Sequence, residues 1–99
     1  MATVWIPTPY RELAGGASTV VVPGATVRQV TRNLDSAYPG FWERLVDDER
    51  DRIRAGITVV VNGVSVGYAL YEPVGENDEV HYLPAIAGGA GQLQGTGSQ

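Results

Sequence analysis

The residues best placed for chemistry in this chain are Gly88 and Gly89, which follow the largely apolar segment 83–87. Residues without side chains let a backbone enter a narrow channel and adopt φ values that are closed to other residues. The pair therefore suits a stretch of backbone that must pass through a narrow channel. Gly-Gly is also common in loops, and because the chain has 13 glycines the pair taken alone more often indicates an ordinary turn.

Side chains that could catalyse a reaction are scarce. The sequence contains no cysteine and no lysine, and its one histidine, His81, lies in a predicted strand, where a strand-face role is the simplest interpretation. The lack of cysteine excludes disulfides, thiol nucleophiles, thiolate zinc sites and iron–sulfur ligation. No serine lies in a nucleophile-elbow motif, and the Gly-Gly-Ala-Gly segment at 88–91 lacks the lysine of a phosphate loop. We therefore expect no independent enzyme activity, no metal site and no bound cofactor.

Length and composition indicate one globular domain, since 43% of the 99 residues are hydrophobic. The net charge of −4 argues against nucleic acid as the main partner. No apolar run is long enough to span a membrane. The start of the sequence lacks the basic and apolar regions of a signal peptide, so the predicted location is the cytoplasm.

The elements that must position the glycine pair begin with a β-hairpin. Residues 3–6 and 18–22 are rich in β-branched side chains and predict two strands. The polar connection 8–16 ends in a glycine pair typical of a turn.

A helix is predicted over residues 26–38. Thr26 suits the N-cap position, and Gln29 stands three residues later, as in a capping box. Val27, Val30 and Leu34 fall on one face at helical spacing. A short helical turn is expected at 41–46, followed by the charged run 47–52, which is typical of a solvated loop.

The second half of the chain predicts the centre of the sheet. Residues 57–61 form the most apolar strand, and Asn62-Gly63 is a strong hairpin signal because both positions tolerate φ > 0. A strand continues within 64–70, and the last strand covers 79–83. Alternation and helical spacing predict a core of Val4, Ile6, Val20, Val22, Val27, Val30, Leu34, Val59, Val61, Val80 and Tyr82.

Together these elements predict an α+β fold, with a mixed sheet packed against one main helix. The order resembles the ubiquitin-like β-grasp of the MoaD/ThiS family over residues 2–89. The shared landmarks are Pro-Gly-Ala-Thr-Val opening the helix, Val-Asn-Gly at the hairpin, Asn-Asp-Glu-Val before the last strand, and the final Leu-Pro-Ala-Ile-Ala-Gly-Gly. The charged stretch 47–56 resembles the longer loop of the family's carriers for cysteine synthesis.

This resemblance implies a sulfur carrier rather than an enzyme. In the family, an adenylyltransferase similar to ubiquitin-activating enzymes uses ATP to adenylate the terminal glycine carboxylate. Sulfur then replaces AMP and leaves a thiocarboxylate. A sulfur-accepting synthase, of the molybdopterin synthase large-subunit or cysteine synthase type, takes the sulfur. By resemblance, Gly88 and Gly89 form the reactive terminus of this chain.

The resemblance also implies a docking region beside the reactive arm. Because side chains alternate along a strand, Leu83 should be exposed if Val80 and Tyr82 point inward. Partner enzymes of the family dock near this position, so we expect the docking residues to be Leu83, Pro84, Ile86 and Val60.

Ten residues follow Gly89. This extension departs from the family pattern, in which the glycine pair ends the chain. We expect a domain at 1–89 and a flexible extension at 90–99, cut between Gly89 and Ala90. The resemblance implies a zinc-dependent peptidase of the JAMM type for this step. Whether the extension is a natural precursor tail or an addition made for expression stays open at this point.

Two further functions also remain open. The chain could be a protein modifier joined through Gly89 to lysines of other proteins, which shares the activation step with a sulfur carrier. It could also be a β-grasp interaction domain without any chemistry at its carboxyl end. The product distinguishes them, because a carrier accumulates a thiocarboxylate and a modifier forms isopeptide adducts.

Overall fold

The computed structural model describes residues 1–84. The predictions for Ile86, Gly88, Gly89 and Ala90, and for the extension at 90–99, lie outside the described residues.

A five-stranded mixed sheet forms one layer, with the strands in the order β2 (Thr19–Val22), β1 (Ala2–Trp5), β7 (Glu79–Pro84), β5 (Ile57–Val61) and β6 (Val64–Gly67). The first and last strands pair in parallel at its centre, whereas the other neighbours are antiparallel. This arrangement confirms the predicted α+β fold with a mixed sheet. A separate small pair consists of β3 Val46–Asp47 and β4 Arg52–Ile53.

The main helix α1, Val27–Ala37, packs on one face of this sheet. Its start matches the prediction, because the Gln29 backbone N–H donates to Thr26 Oγ1 at 3.1 Å. The Gln29 side chain accepts from the backbone N–H of Ala25 at 2.9 Å, one residue before the N-cap itself. The helix ends at Ala37, where the N–H of Tyr38 closes the last turn on the Leu34 carbonyl.

The core lies between the sheet and the helices. All the predicted core residues are buried except Val20 on the edge strand β2, which is partly buried and packs against the core. The short helix α2, Phe41–Leu45, adds buried side chains, as the sequence predicted. Leu70 and Val74 are also buried in the core, although the sequence around them is typical of turns.

The charged run 47–52 was predicted to be a solvated loop. The structure shows in addition that its first and last residues belong to the β3–β4 hairpin. Val46 pairs with Ile53 and Asp47 with Arg52. Val46 and Ile53 are both buried, so the burial of two apolar side chains fixes the ends of an otherwise polar segment. Only residues 48–51, at its tip, are exposed.

The prediction of a polar connection at 8–16 was also incomplete, because Thr8–Ala14 forms a 3-10 helix. Proline is favoured at its beginning, and Ala14 is buried while Tyr10 and Leu13 pack against the core. The predicted glycine turn follows, with Gly15 at φ 65°. Within residues 1–84, no helix is long and apolar enough to cross a membrane.

Candidate docking face and carboxyl-terminal exit

The parallel pairing of β1 and β7 determines what surrounds the exit of the carboxyl-terminal arm. Both strands end at the same edge of the sheet, and Trp5 at the end of β1 pairs with His81 of β7. The 3-10 helix begins three residues after β1 ends. The last described residue, Pro84, and Pro7, just before this helix, therefore line one surface.

The inner side of β7 is held firmly in the core. Val80 and Tyr82 are buried, and the Tyr82 hydroxyl lies 2.6 Å from Thr31 Oγ1 on α1. Burial raises the pKa of Tyr82 to about 12. The strand that precedes the glycine pair is thus a fixed support.

The start of β7 is fixed by the hairpin turn that the sequence predicted. Asn62 has φ 51°, and its side-chain Oδ1 accepts from the Glu79 N–H at 2.8 Å. Its own backbone N–H donates to the Glu79 carbonyl at 2.9 Å. In the preceding turn, the Gly75 N–H donates to Asp78, which lowers the pKa of that carboxyl.

The outer side of β7 carries the predicted docking residue Leu83, which is 51% exposed. Across the strand pair, Leu83 lies opposite Thr58, and His81 lies opposite Val60. Val60 is half-buried on the same outer side as Leu83, whereas Pro84 pairs with the buried Ile57 at the end of the strand. The structure therefore places Leu83 and Pro84 together at the arm's exit and Val60 farther along the outer face, opposite His81, while Ile86 and the glycine pair lie beyond the described residues.

A stacked pair of rings extends this outer face. The Trp5 and His81 rings lie with their centroids 5.3 Å apart and their planes 6° from parallel. The indole Nε1–H donates to Glu79 Oε1 at 3.2 Å, which fixes the ring orientation. Sequence analysis placed His81 on a strand face but missed Trp5 as its neighbour, because the contact joins strands that are distant in sequence.

Beside these rings lies a groove of about 580 Å³. Its lining is mainly apolar and also includes the His81 ring and the Arg11 guanidinium; the apolar residues at its surface include Trp5, Pro7, Pro9, Leu83 and Pro84. Arg11, which sequence analysis also missed, donates from Nε to the Ile6 carbonyl at 3.1 Å. The arrangement can bind an apolar surface that also presents a negative charge.

Metal binding finds no support in the described part of the chain. Among residues 1–84, no cluster of three or more His, Asp or Glu side chains could hold an ion.

Comparison with known proteins gives the family. The model of the ThiS family matches residues 4–89. The sulfur carrier protein CysO of Mycobacterium tuberculosis is 34% identical over 90 residues, which cover 88% of this chain and 97% of that protein.

Solved structures agree with this relationship. A chain of the BexX/CysO complex from Amycolatopsis orientalis superposes with a TM-score of 0.81 and 36% identity, covering 90% of this chain and 100% of that one. The small archaeal modifier protein SAMP1 from Haloferax volcanii gives 0.73 and 28%, covering 89% and 98%. The chain therefore belongs to the ThiS family and is a ubiquitin-like sulfur carrier of the MoaD/ThiS type.

Proposed function

We propose that this protein carries sulfur as a thiocarboxylate on Gly89 after residues 90–99 have been removed. The observation that carries the proposal is the extent of the family match, which ends at Gly89 and leaves the following ten residues outside it. The relatives named as sulfur carriers support the same chemistry. The protein acts with partner enzymes and supplies no catalyst of its own.

The chemistry explains why the extension must be removed. In the 99-residue chain, the Gly89 carbonyl belongs to an amide with Ala90, so there is no carboxylate to activate. Hydrolysis of that bond, which we assign to a JAMM-type metalloprotease, releases the carboxylate. Its oxygen then attacks the α-phosphorus of ATP on the adenylyltransferase, and pyrophosphate leaves.

The second step installs the sulfur. A sulfur nucleophile attacks the carbonyl carbon of the acyl adenylate, and AMP leaves with the electrons of the broken C–O bond. Cleavage of the remaining bond between the sulfur and its donor then leaves the thiocarboxylate. Where the donor is a persulfide, a thiol reductant supplies the two electrons that this cleavage requires. The Gly88-Gly89 arm delivers the carbonyl carbon, and the partner supplies the catalytic groups.

The docking partners follow from the same scheme. We assign Leu83, Pro84, Ile86 and Val60 to the surface that receives the adenylyltransferase, because Leu83 and Pro84 lie at the arm's exit, Ile86 follows them in the sequence, and Val60 shares the outer face with Leu83. The sulfur then passes to an accepting synthase, of the cysteine synthase or molybdopterin synthase large-subunit type. The related CysO, which forms a complex with BexX, supports a partner protein of this general kind.

A second candidate function is conjugation through Gly89 to lysines of other proteins. The likeness to SAMP1, named as a small archaeal modifier protein, favours it. The CysO relatives have higher identity and TM-scores, so sulfur transfer is the function we favour.

The test compares residues 1–99 with residues 1–89. Each form is incubated with ATP, the cognate adenylyltransferase and a sulfur source, and its intact mass is measured. We expect only the 1–89 form to show the mass increase that corresponds to the replacement of one oxygen atom by sulfur. Activation of the 99-residue form at Gln99 would overturn the assignment of Gly89. Isopeptide adducts without any thiocarboxylate would favour the modifier instead.

A further inference from the structure

Arg11 and His81 both line the groove beside the arm's exit, and the guanidinium of Arg11 supplies its permanent positive charge. The Nε–H of Arg11 donates to the Ile6 carbonyl at 3.1 Å. Because Arg11 lies within the 3-10 helix Thr8–Ala14, this bond ties its guanidinium to the residue that follows β1. None of the ion pairs among residues 1–84 includes Arg11. Its two terminal nitrogens are thus positioned without a carboxylate partner from the described part of the chain.

The surroundings of Arg11 indicate what kind of partner surface it can bind. The chain carries a net charge of −4, yet the groove presents a guanidinium among Trp5, Pro7, Leu83 and Pro84. A partner surface that covers the apolar side chains also removes water from the guanidinium. An incoming carboxylate compensates for this loss, whereas an incoming cation or apolar group does not.

The position of the groove indicates which partner covers it. Gly89 is only five positions after Pro84, and five extended residues span at most about 18 Å. An enzyme that holds the Gly89 carboxylate in its active site must therefore also cover the surface around Pro84. Activation precedes both sulfur transfer and conjugation, so the adenylyltransferase is the partner common to both candidate functions.

We propose that Arg11 is a specificity-determining residue that pairs with a carboxylate of the adenylyltransferase when the groove is covered. This inference rests on the proposed function, since it requires that Gly89 be activated by such an enzyme. The acidic side chain on the partner lies at the edge of an apolar patch that packs on Leu83 and Pro84. The pair selects the partner and its orientation, and takes no part in the chemical step.

The experiment uses the 1–89 form and the adenylyltransferase that activates it. Affinity is measured by calorimetry for the wild type, Arg11→Gln, Arg11→Glu and Arg54→Glu, at low and at moderate salt. Arg54 is the matched control, because its Nε also donates to a backbone carbonyl, that of Glu43 at 2.8 Å, and it lies outside the groove. Thermal unfolding of each variant shows whether the fold is retained.

We expect Arg11→Glu to weaken binding by about tenfold or more and Arg11→Gln to weaken it less, while Arg54→Glu stays within about twofold of wild type. The loss for Arg11→Glu should shrink as salt rises. Equal losses for Arg11→Glu and Arg54→Glu, or no loss for either, overturn the assignment of Arg11 and leave the sulfur-carrier proposal intact. Failure of the wild type to bind or become adenylated contradicts both proposals.

Discussion

The hydroxyl of Tyr82 donates a hydrogen bond to Thr31 Oγ1, 2.6 Å away, across the layer between β7 and α1. The direction follows from a second bond, because the single hydroxyl proton of Thr31 is donated to the Val27 carbonyl at 2.8 Å. Thr31 Oγ1 can therefore only accept from Tyr82. The two residues depend on this contact unequally, since Tyr82 has no other hydrogen-bond partner in the described chain while Thr31 does.

Substitutions at these two positions should therefore have different costs. Thr31→Val keeps the side-chain shape but leaves the buried Tyr82 hydroxyl without an acceptor, which costs about 1–3 kcal/mol of unfolding free energy. Tyr82→Phe leaves Thr31 bonded to Val27 and costs about 0.5–1.5 kcal/mol. Chemical denaturation of both variants measures the difference. A larger loss for Tyr82→Phe than for Thr31→Val would contradict the direction of the bond.

The pKa of Tyr82 predicts a loss of stability in alkaline solution. Burial raises this pKa from 10.0 to about 12 in the folded protein. Between these values the unfolded chain releases the phenolic proton and the folded chain keeps it. Because the unfolded state then binds fewer protons, the free energy of unfolding falls as pH rises, by about 2–3 kcal/mol across the window.

The control for this pH effect is Tyr82→Phe, which lacks the titrating group. Below about pH 10 the contribution is fully present, so both proteins should show parallel pH dependence there. Above it, denaturation curves should show the wild type losing more stability than the variant. Parallel curves up to about pH 12 would show that another group causes the alkaline loss.

Local patterns were sufficient for the long elements. Alternation placed Val80 and Tyr82 inward and Leu83 outward, and the spacing of Val27, Val30 and Leu34 gave the buried face of the helix. These signals are local because each side chain's face is fixed by the repeat of its own element. The outward position of Leu83 was therefore predictable without knowledge of its neighbours.

The remaining features depend on contacts between distant segments. The Trp5–His81 stack exists because β1 and β7 pair in parallel, and nothing in either strand specifies that partner. The β3–β4 hairpin forms because Val46 and Ile53 are buried together, which outweighs the polar character of the residues between them. Sequence analysis missed Arg11 because its position in the groove depends on how β1, β7 and the 3-10 helix pack together.

Gly24 lies where the chain enters helix α1, and we expect it to tolerate no side chain. A Cβ there would lie 2.7 Å from the backbone N and 2.8 Å from Cγ2 of Val30, and its φ is 151°. Gly24→Ala should therefore cost about 2–3 kcal/mol or more. Gly15→Ala is the control, because φ is 65° and nothing lies within 4 Å, so only about 1 kcal/mol of backbone strain is expected.

Thermal unfolding of the two alanine variants tests this ranking. Gly24→Ala should show the lower melting temperature, since displacement of Val30 disturbs the buried first turn of the helix. Equal melting temperatures would mean that the helix shifts without cost to accommodate the methyl group.

Leu83 is expected to matter for binding and not for folding. Its side chain is 51% exposed, so Leu83→Asp should leave the melting temperature within a few degrees of wild type. Placing a carboxylate in the apolar docking surface should weaken adenylyltransferase binding by about tenfold or more. Val64→Asp is the control, because Val64 is 63% exposed on the edge strand β6 and outside the groove. Unchanged binding by Leu83→Asp would remove this residue from the interface.

Gly88 should be required for activation of the trimmed protein and not for its stability. Gly88→Val in the 1–89 form places a branched side chain next to the reactive carboxylate and restricts the backbone that must enter the adenylation channel. A displacement of about 1 Å at the reacting carbon is enough to slow a reaction about a hundredfold. Ala85→Val adds comparable bulk four residues from the carboxylate, so it serves as the control. Pyrophosphate release should fall about a hundredfold for Gly88→Val and little for Ala85→Val, with unchanged melting temperatures for both. If Gly88→Val is adenylated as fast as wild type, the channel does not require glycine at this position, and the diglycine pattern loses its explanation.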